Sequence, residues 1–175
     1  MAIHFATKPF VIHHWTIVKL PKSASAHLPS RGQVMVKGTI NGSPFQTALE
    51  PDGDGSHWFR VDERVPTTAG VTVGDTATLA VEPTKDWPEP VVPADLRAAL
   101  GAHPRAQAAW KDITPMARWE WLRWIGSTKE AATRTRRIAV ACSKLTAGTR
   151  RPCCFNRNMC CVPEVSKNGV LLSPA

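Results

Sequence analysis

No stretch of this 175-residue chain approaches the ~18 consecutive apolar residues of a membrane-spanning helix, so neither a span nor a membrane partner is expected. The segment from Met1 to Phe10 lacks a basic stretch leading into an apolar one, so no secretory signal is read there and a cytoplasmic location is expected. There is no glycine-rich phosphate loop, internal repeat or low-complexity tract. No Ser–His–Asp order, nucleophile elbow or paired carboxylates stand out, which leaves the usual hydrolytic constellations without a candidate. No helix-turn-helix or RNA-recognition signature is present either, which speaks against sequence-specific nucleic-acid reading. Cysteine is missing until residue 142, and four of the five, Cys153, Cys154, Cys160 and Cys161, fall within nine residues. Without a secretory signal they do not read as a disulfide framework.

What is present divides the chain by charge and by period. Residues 1–93 hold eight basic and nine acidic side chains, whereas residues 94–175 hold fourteen and five, so the net charge of +8 sits in the second half. A basic half suits an anionic partner, or it is simply a solvated helix surface. The first half reads as strands and turns. Val11 to Leu20 predicts one strand, with His13 and His14 in its middle and their rings on opposite faces. Residues 21–32 read as a loop rich in proline and serine. Asn41–Gly42, between two runs rich in β-formers, predicts a hairpin because both turn positions need positive φ. Asp52–Gly53–Asp54–Gly55 predicts a turn and lacks the remaining ligands of a calcium loop. Short strands are expected over His57 to Val61 and Thr76 to Glu82. Prolines at 83, 88, 90 and 93 then interrupt both helix and sheet. Beyond them the spacing predicts helices over 95–102, 105–112, 114–125 and 129–147. Thr114 and Pro115 start the third, and Gly126 and Gly148 close the last two. The expected class is α+β, a small closed or partly open β-barrel followed by a helical bundle. Its expected domains are a barrel over 1–88, a helical module over 89–148 and an irregular tail over 149–175.

Three runs in the first half carry a resemblance: Gly-x-Val-x-Val-x-Gly-Thr-Ile-Asn-Gly-x-Pro-Phe from Gly32, Gly-Asp-Gly-x-His-x-Phe from Gly53, and Ala-Gly-Val-x-Val-Gly-Asp-Thr from Ala69. They resemble a small β-barrel family of unknown function, DUF1905. In the second half, Trp119, Leu122, Trp124 and Ile125 are followed by Thr-Arg-x-Arg-Arg-Ile from Thr133. This resembles the bacteriocin-protection, YdeI or OmpD-associated helical module. The resemblance covers roughly residues 30–147. It implies protection against toxic peptides or stress, and it brings no catalytic motif.

The candidate ligand-binding residues are Arg118, Trp119, Trp121, Arg123 and Trp124 on the third helix, Arg134 and Arg137 on the fourth, and His57. Trp and Arg together can stack aromatic ligands and hold anions. On a helix, however, Trp121, Trp124 and Ile125 share a face and suit a core equally well. Arg134 and Arg137, one turn apart, are placed to converge on one anion. His57 follows the Asp-Gly turn, where it is placed to line the barrel mouth. In the tail, Cys153, Cys154, Cys160 and Cys161 offer soft ligands for Zn or Cu(I), though paired adjacent cysteines are not the usual Cys-x2-Cys spacing. Redox chemistry and plain packing remain open for the same thiols. The leading expectation is a non-enzymatic protein that holds a small molecule or peptide between barrel and helices. A metal- or thiol-dependent enzyme built on the tail, with His57 as a further candidate, is the alternative. A nucleic-acid-associated basic protein is the weaker one.

Overall fold

The computed structural model describes residues 1–62, 64–128, 130–152, 164–166 and 170–174. The chain divides into two compact units. The first comprises Met1–Asp86 together with Glu164–Ala175, and the second Trp87–Pro163.

The first unit is built on seven strands: β1 (Ile3–Thr7), β2 (Phe10–Ile12), β3 (Trp15–Lys19), β4 (Val34–Ile40), β5 (Ser43–Pro51), β6 (His57–Arg60) and β7 (Ala77–Pro83). They form one antiparallel sheet in the order β1-β7-β4-β5-β6-β3-β2, curled into a half-barrel. The ladder ends at β1 and β2, which are neighbours in sequence but lie at opposite edges. The Thr7 hydroxyl nevertheless donates to the Lys19 carbonyl of β3 at 2.9 Å, so a side chain spans part of the seam. The concave side holds one apolar core to which β3 to β7 all contribute, including Val18, Val36, Leu49, Phe59 and Val81.

Two local features fix the middle of this sheet. The β4–β5 hairpin turns on Asn41 and Gly42 at φ 49° and 81°, as the sequence predicts. The Asn41 side chain fastens the turn by donating to Ala69 O and accepting from Thr78 N–H. Gly38 faces β7, where an added Cβ would lie 1.9 Å from the Ala80 carbonyl oxygen. Only glycine permits that approach.

The expectation of a single strand over 11–20 is corrected. The chain turns at His13 and His14, with His13 at φ 57°, and β2 pairs back on β3. The two histidines therefore occupy an exposed turn rather than opposite faces of a strand. Histidine is among the non-glycine residues that tolerate positive φ, and its side chain gave no turn signal in the sequence. Residues 21–32 are also not wholly irregular, since Lys22–Ser25 form the one-turn helix α1.

The second unit contains α2 (Ala94–Ala102), α3 (Pro104–Asp112), α4 (Pro115–Gly126) and α5 (Ala131–Thr146). Thr114 caps α4, its hydroxyl accepting from Ala117 N–H at 3.2 Å. Gly126 is the last residue of α4 rather than the residue beyond it, whereas Gly148 follows α5 at φ 89°. Ile138, Ala141, Cys142 and Leu145 recur at helical spacing on α5 and pack on Leu96, Leu100, Trp110, Trp121 and Ile125. Burial pushes the Cys142 thiol up, as suits a core side chain. No helix among the described residues is long and apolar enough to cross a membrane.

Candidate functional site

The helical unit is pinned by arginines acting on helix ends. The last carbonyls of an α-helix have no partner within it and need outside donors. Arg118 supplies them for α3. Its Nε donates to Trp110 O, and its Nη2 to Lys111 O and Ile113 O, each at 2.8 Å. Its remaining terminal nitrogen pairs with Glu89. Arg150 adds to the same end, bonding the Asp112 carbonyl at 3.0 Å and its carboxylate at 2.6 Å. Arg137 does this for α4, its Nη1 donating to Trp124 O and Ser127 Oγ at 2.8 Å. Its guanidinium lies 5.6 Å from the centre of the Trp124 ring. Arg134 reaches instead to Asp95 on the first turn of α2 by two hydrogen bonds. The guanidinium holds the Asp95 carboxyl below the usual carboxylate range, and the carboxylate raises Arg134. Arg134 and Arg137 therefore do not converge on one anion, contrary to the expectation from their spacing.

The tryptophans separate in the same way. Trp121 is fully buried, its N–H donating to Arg150 O at 3.1 Å, so it belongs to the core and not to a binding face. Trp124 is half-buried and packs edge-on against Trp121 at 5.9 Å. Trp119 lies elsewhere on α4. It too is half-buried, with its N–H on Pro88 O at 2.7 Å and its ring 6.2 Å from Trp87 at an interplanar angle of 74°. Arg123, half-buried and one turn along, shares that side of the helix with Trp119. Of the expected Trp–Arg surface, Arg118, Arg134, Arg137 and Trp121 thus belong to the framework and Trp119, Arg123 and Trp124 are half-buried, while Trp87, outside that expectation, packs edge-on against Trp119. Trp87 carries no signal of its own in the sequence, because it sits among prolines next to no periodic run.

His57 is also not at a mouth. It is 1% exposed, and both ring nitrogens are occupied. Nε2 lies 2.8 Å from Gly32 O, which only accepts, so Nε2 carries the proton and Nδ1 accepts from the Ser25 hydroxyl at 2.7 Å. Burial, above all, lowers its pKa, and nearby Arg31 adds to this against the opposing pull of Gly32 O and Asp52. Ser25 is fully buried as well, so the pair resembles a hydroxyl–imidazole dyad but fastens α1 to the sheet. The neighbouring Asp52 closes its own turn, accepting from Asp54 N–H and Ser56 N–H at 2.8 and 2.7 Å, while Lys19 pairs with its other oxygen at 2.9 Å. Burial alone would raise this carboxyl, but Lys19 and the two amides more than offset that and hold it low.

Among the described residues no group of three His, Cys, Asp or Glu side chains is placed to hold a metal ion. The thiols expected as ligands, Cys153, Cys154, Cys160 and Cys161, lie outside the described residues.

Comparison of the chain with curated proteins finds no match. Two family models do match. One is the domain of unknown function DUF1905, over residues 4–81. The other is described as Bacteriocin-protection, YdeI or OmpD-Associated, over residues 89–148. The first range takes in all seven strands except Ile3 of β1 and the end of β7, and the second takes in α2 to α5. The chain therefore carries a DUF1905 domain followed by a domain of the bacteriocin-protection, YdeI or OmpD-associated family.

Proposed function

We propose that this is a non-enzymatic protective protein that binds a small molecule or peptide on the Trp87–Trp119–Arg123 side of its helical unit. The observation that carries this reading is the fixation of Trp119. Its N–H is committed to Pro88 O and its ring is braced by Trp87, yet the indole stays half-exposed. A ring already held in place loses little rotational freedom when something stacks on it, so more of the contact energy is kept as affinity. Arg123, one helical turn away, adds positive charge for an anionic group on the ligand. The family's description supplies the protective role, which sequestration of a toxic peptide would fulfil.

Tryptophan fluorescence and calorimetric titrations against a panel of bacteriocins and planar aromatic antibiotics test the proposal. At least one ligand should bind, and Trp119→Ala should weaken it by about tenfold, the scale of one well-placed aromatic contact. Cells expressing the wild-type chain should survive that toxin better than cells expressing the variant. Silence across the panel, or unchanged affinity in a folded Trp119→Ala protein, would sink the reading.

A further inference from the structure

A second pairing of arginine with tryptophan lies in the first unit. Ile17 of β3 pairs with Arg60 of β6, so Trp15, two residues back on β3, is the diagonal neighbour of Arg60 on the same face. The Arg60 guanidinium carbon lies 3.7 Å from the centre of the Trp15 ring. Stacking of this kind holds the guanidinium plane still and leaves its N–H groups directed within that plane, where a carboxylate can meet them. One of those groups already has a partner, Glu164, which forms an ion pair with Arg60 Nη2 through Oε1.

The fit of that partner is incomplete. Glu164 is fully buried, but among the described residues its Oε2 has no hydrogen-bond partner, and neither has the buried Nε1 of Trp15. A buried carboxylate with half its acceptors unmet is costly, because the water it gave up is not replaced. The segment that presents Glu164 is largely self-contained. Val165 bridges Leu171, Ser166 N–H donates to Val170 O, and Leu172 N–H donates to Glu164 O. Among the described residues, its other polar link to the sheet is Leu171 N–H on Asp52 O at 2.8 Å.

We propose that Arg60 stacked on Trp15 is a carboxylate-binding site for an acidic peptide segment, and that Glu164 is its internal occupant. An external segment that presents a carboxylate and satisfies its second oxygen displaces Glu164 and releases the contacts that Glu164 and Leu171 make to the sheet. The class of ligand follows from the present occupant, a glutamate carboxylate presented by a peptide segment. The site stands independently of the Trp119 surface, since it lies in the other unit and uses none of the same residues.

The test uses the full chain and an acetylated, amidated peptide with the sequence of residues 162–166. Glu164→Gln vacates the charge without changing side-chain size. By calorimetry it should bind the peptide at least about tenfold more tightly than the wild type does, the worth of one charge-assisted hydrogen bond. The gain should vanish in the Glu164→Gln, Arg60→Gln double variant and with a peptide carrying glutamine for glutamate. No gain in a folded Glu164→Gln protein, or a gain that survives loss of Arg60, overturns the proposal. If Glu164→Gln does not fold, hydrogen exchange on the wild type decides. Millimolar peptide should accelerate the Leu171 and Leu172 amides, and unchanged rates there overturn the proposal.

Discussion

At the scale of single residues, the side chains that matter most are those whose geometry nothing else can supply. Gly38 is the sharpest case, because a methyl group there would meet the β7 backbone at 1.9 Å. Gly38→Ala should cost about 3 kcal/mol or more in urea unfolding, as β4 and β7 are forced apart. Arg118 is comparable among the charged residues. Its fork holds three carbonyls at once, which an ammonium on a flexible stem does not match. We expect Arg118→Lys to destabilise the protein by about 2 kcal/mol, the sum of two or so lost net hydrogen bonds. The exposed Arg136 should accept alanine within about 0.5 kcal/mol. Equal effects at the two positions in the same denaturation series would show that Arg118 is not a cap.

At the scale of elements, α1 and the loop after it depend on a histidine that must stay neutral. The His57 pKa lies below the ordinary value of about 6.5, chiefly through burial. Between its folded value and about 6.5 the unfolded chain binds a proton that the folded chain refuses, so stability falls as pH drops through that window. The urea midpoint should therefore be lower at pH 5.5 than at pH 7.5, and His57→Gln should flatten that slope. Asp52 acts at lower pH. Its depressed carboxyl stabilises the fold above the unfolded value of about 3.9, and this contribution is lost as pH falls toward its folded value. In the other unit, Thr114→Ala removes the hydroxyl that caps α4 and should cost about 1 kcal/mol in the same assay.

These elements differ in how far the sequence reveals them. The Asn41–Gly42 hairpin and the Thr114–Pro115 helix start are legible because their causes are local: a turn that needs positive φ, and an orphan amide that needs an acceptor. The turn at His13 is not legible, since histidine is a weak turn signal and the flanking residues read as a continuous strand. β1 is hidden for a different reason, as its partner β7 lies some seventy residues away and nothing local marks the pairing. The candidate site fails to read in the same manner. Spacing placed Arg134 beside Arg137 on one helix, but Asp95 and the Trp124 carbonyl of α4 draw them apart, and those partners belong to other elements. Trp121 and Trp119 are two positions apart, and only packing shows that one is core and the other half-open.

At the scale of the whole molecule, each unit has its own apolar core, and the two cores share no residue. A lesion in one should then leave the other protected. In Gly38→Ala, hydrogen exchange should speed up through β4 to β7 while the amides of α3 and α5 keep most of their protection. The units are nonetheless not simply consecutive, because Glu164 and Leu171 return to the sheet after the helices have been made. On the ribosome this inverts the expected order of maturation. The sheet begins to emerge first, but Arg60 waits for Glu164, and Asp52 for Leu171, until the helical segment has already left the tunnel. The unit made second can close its core before the unit made first has received its last piece.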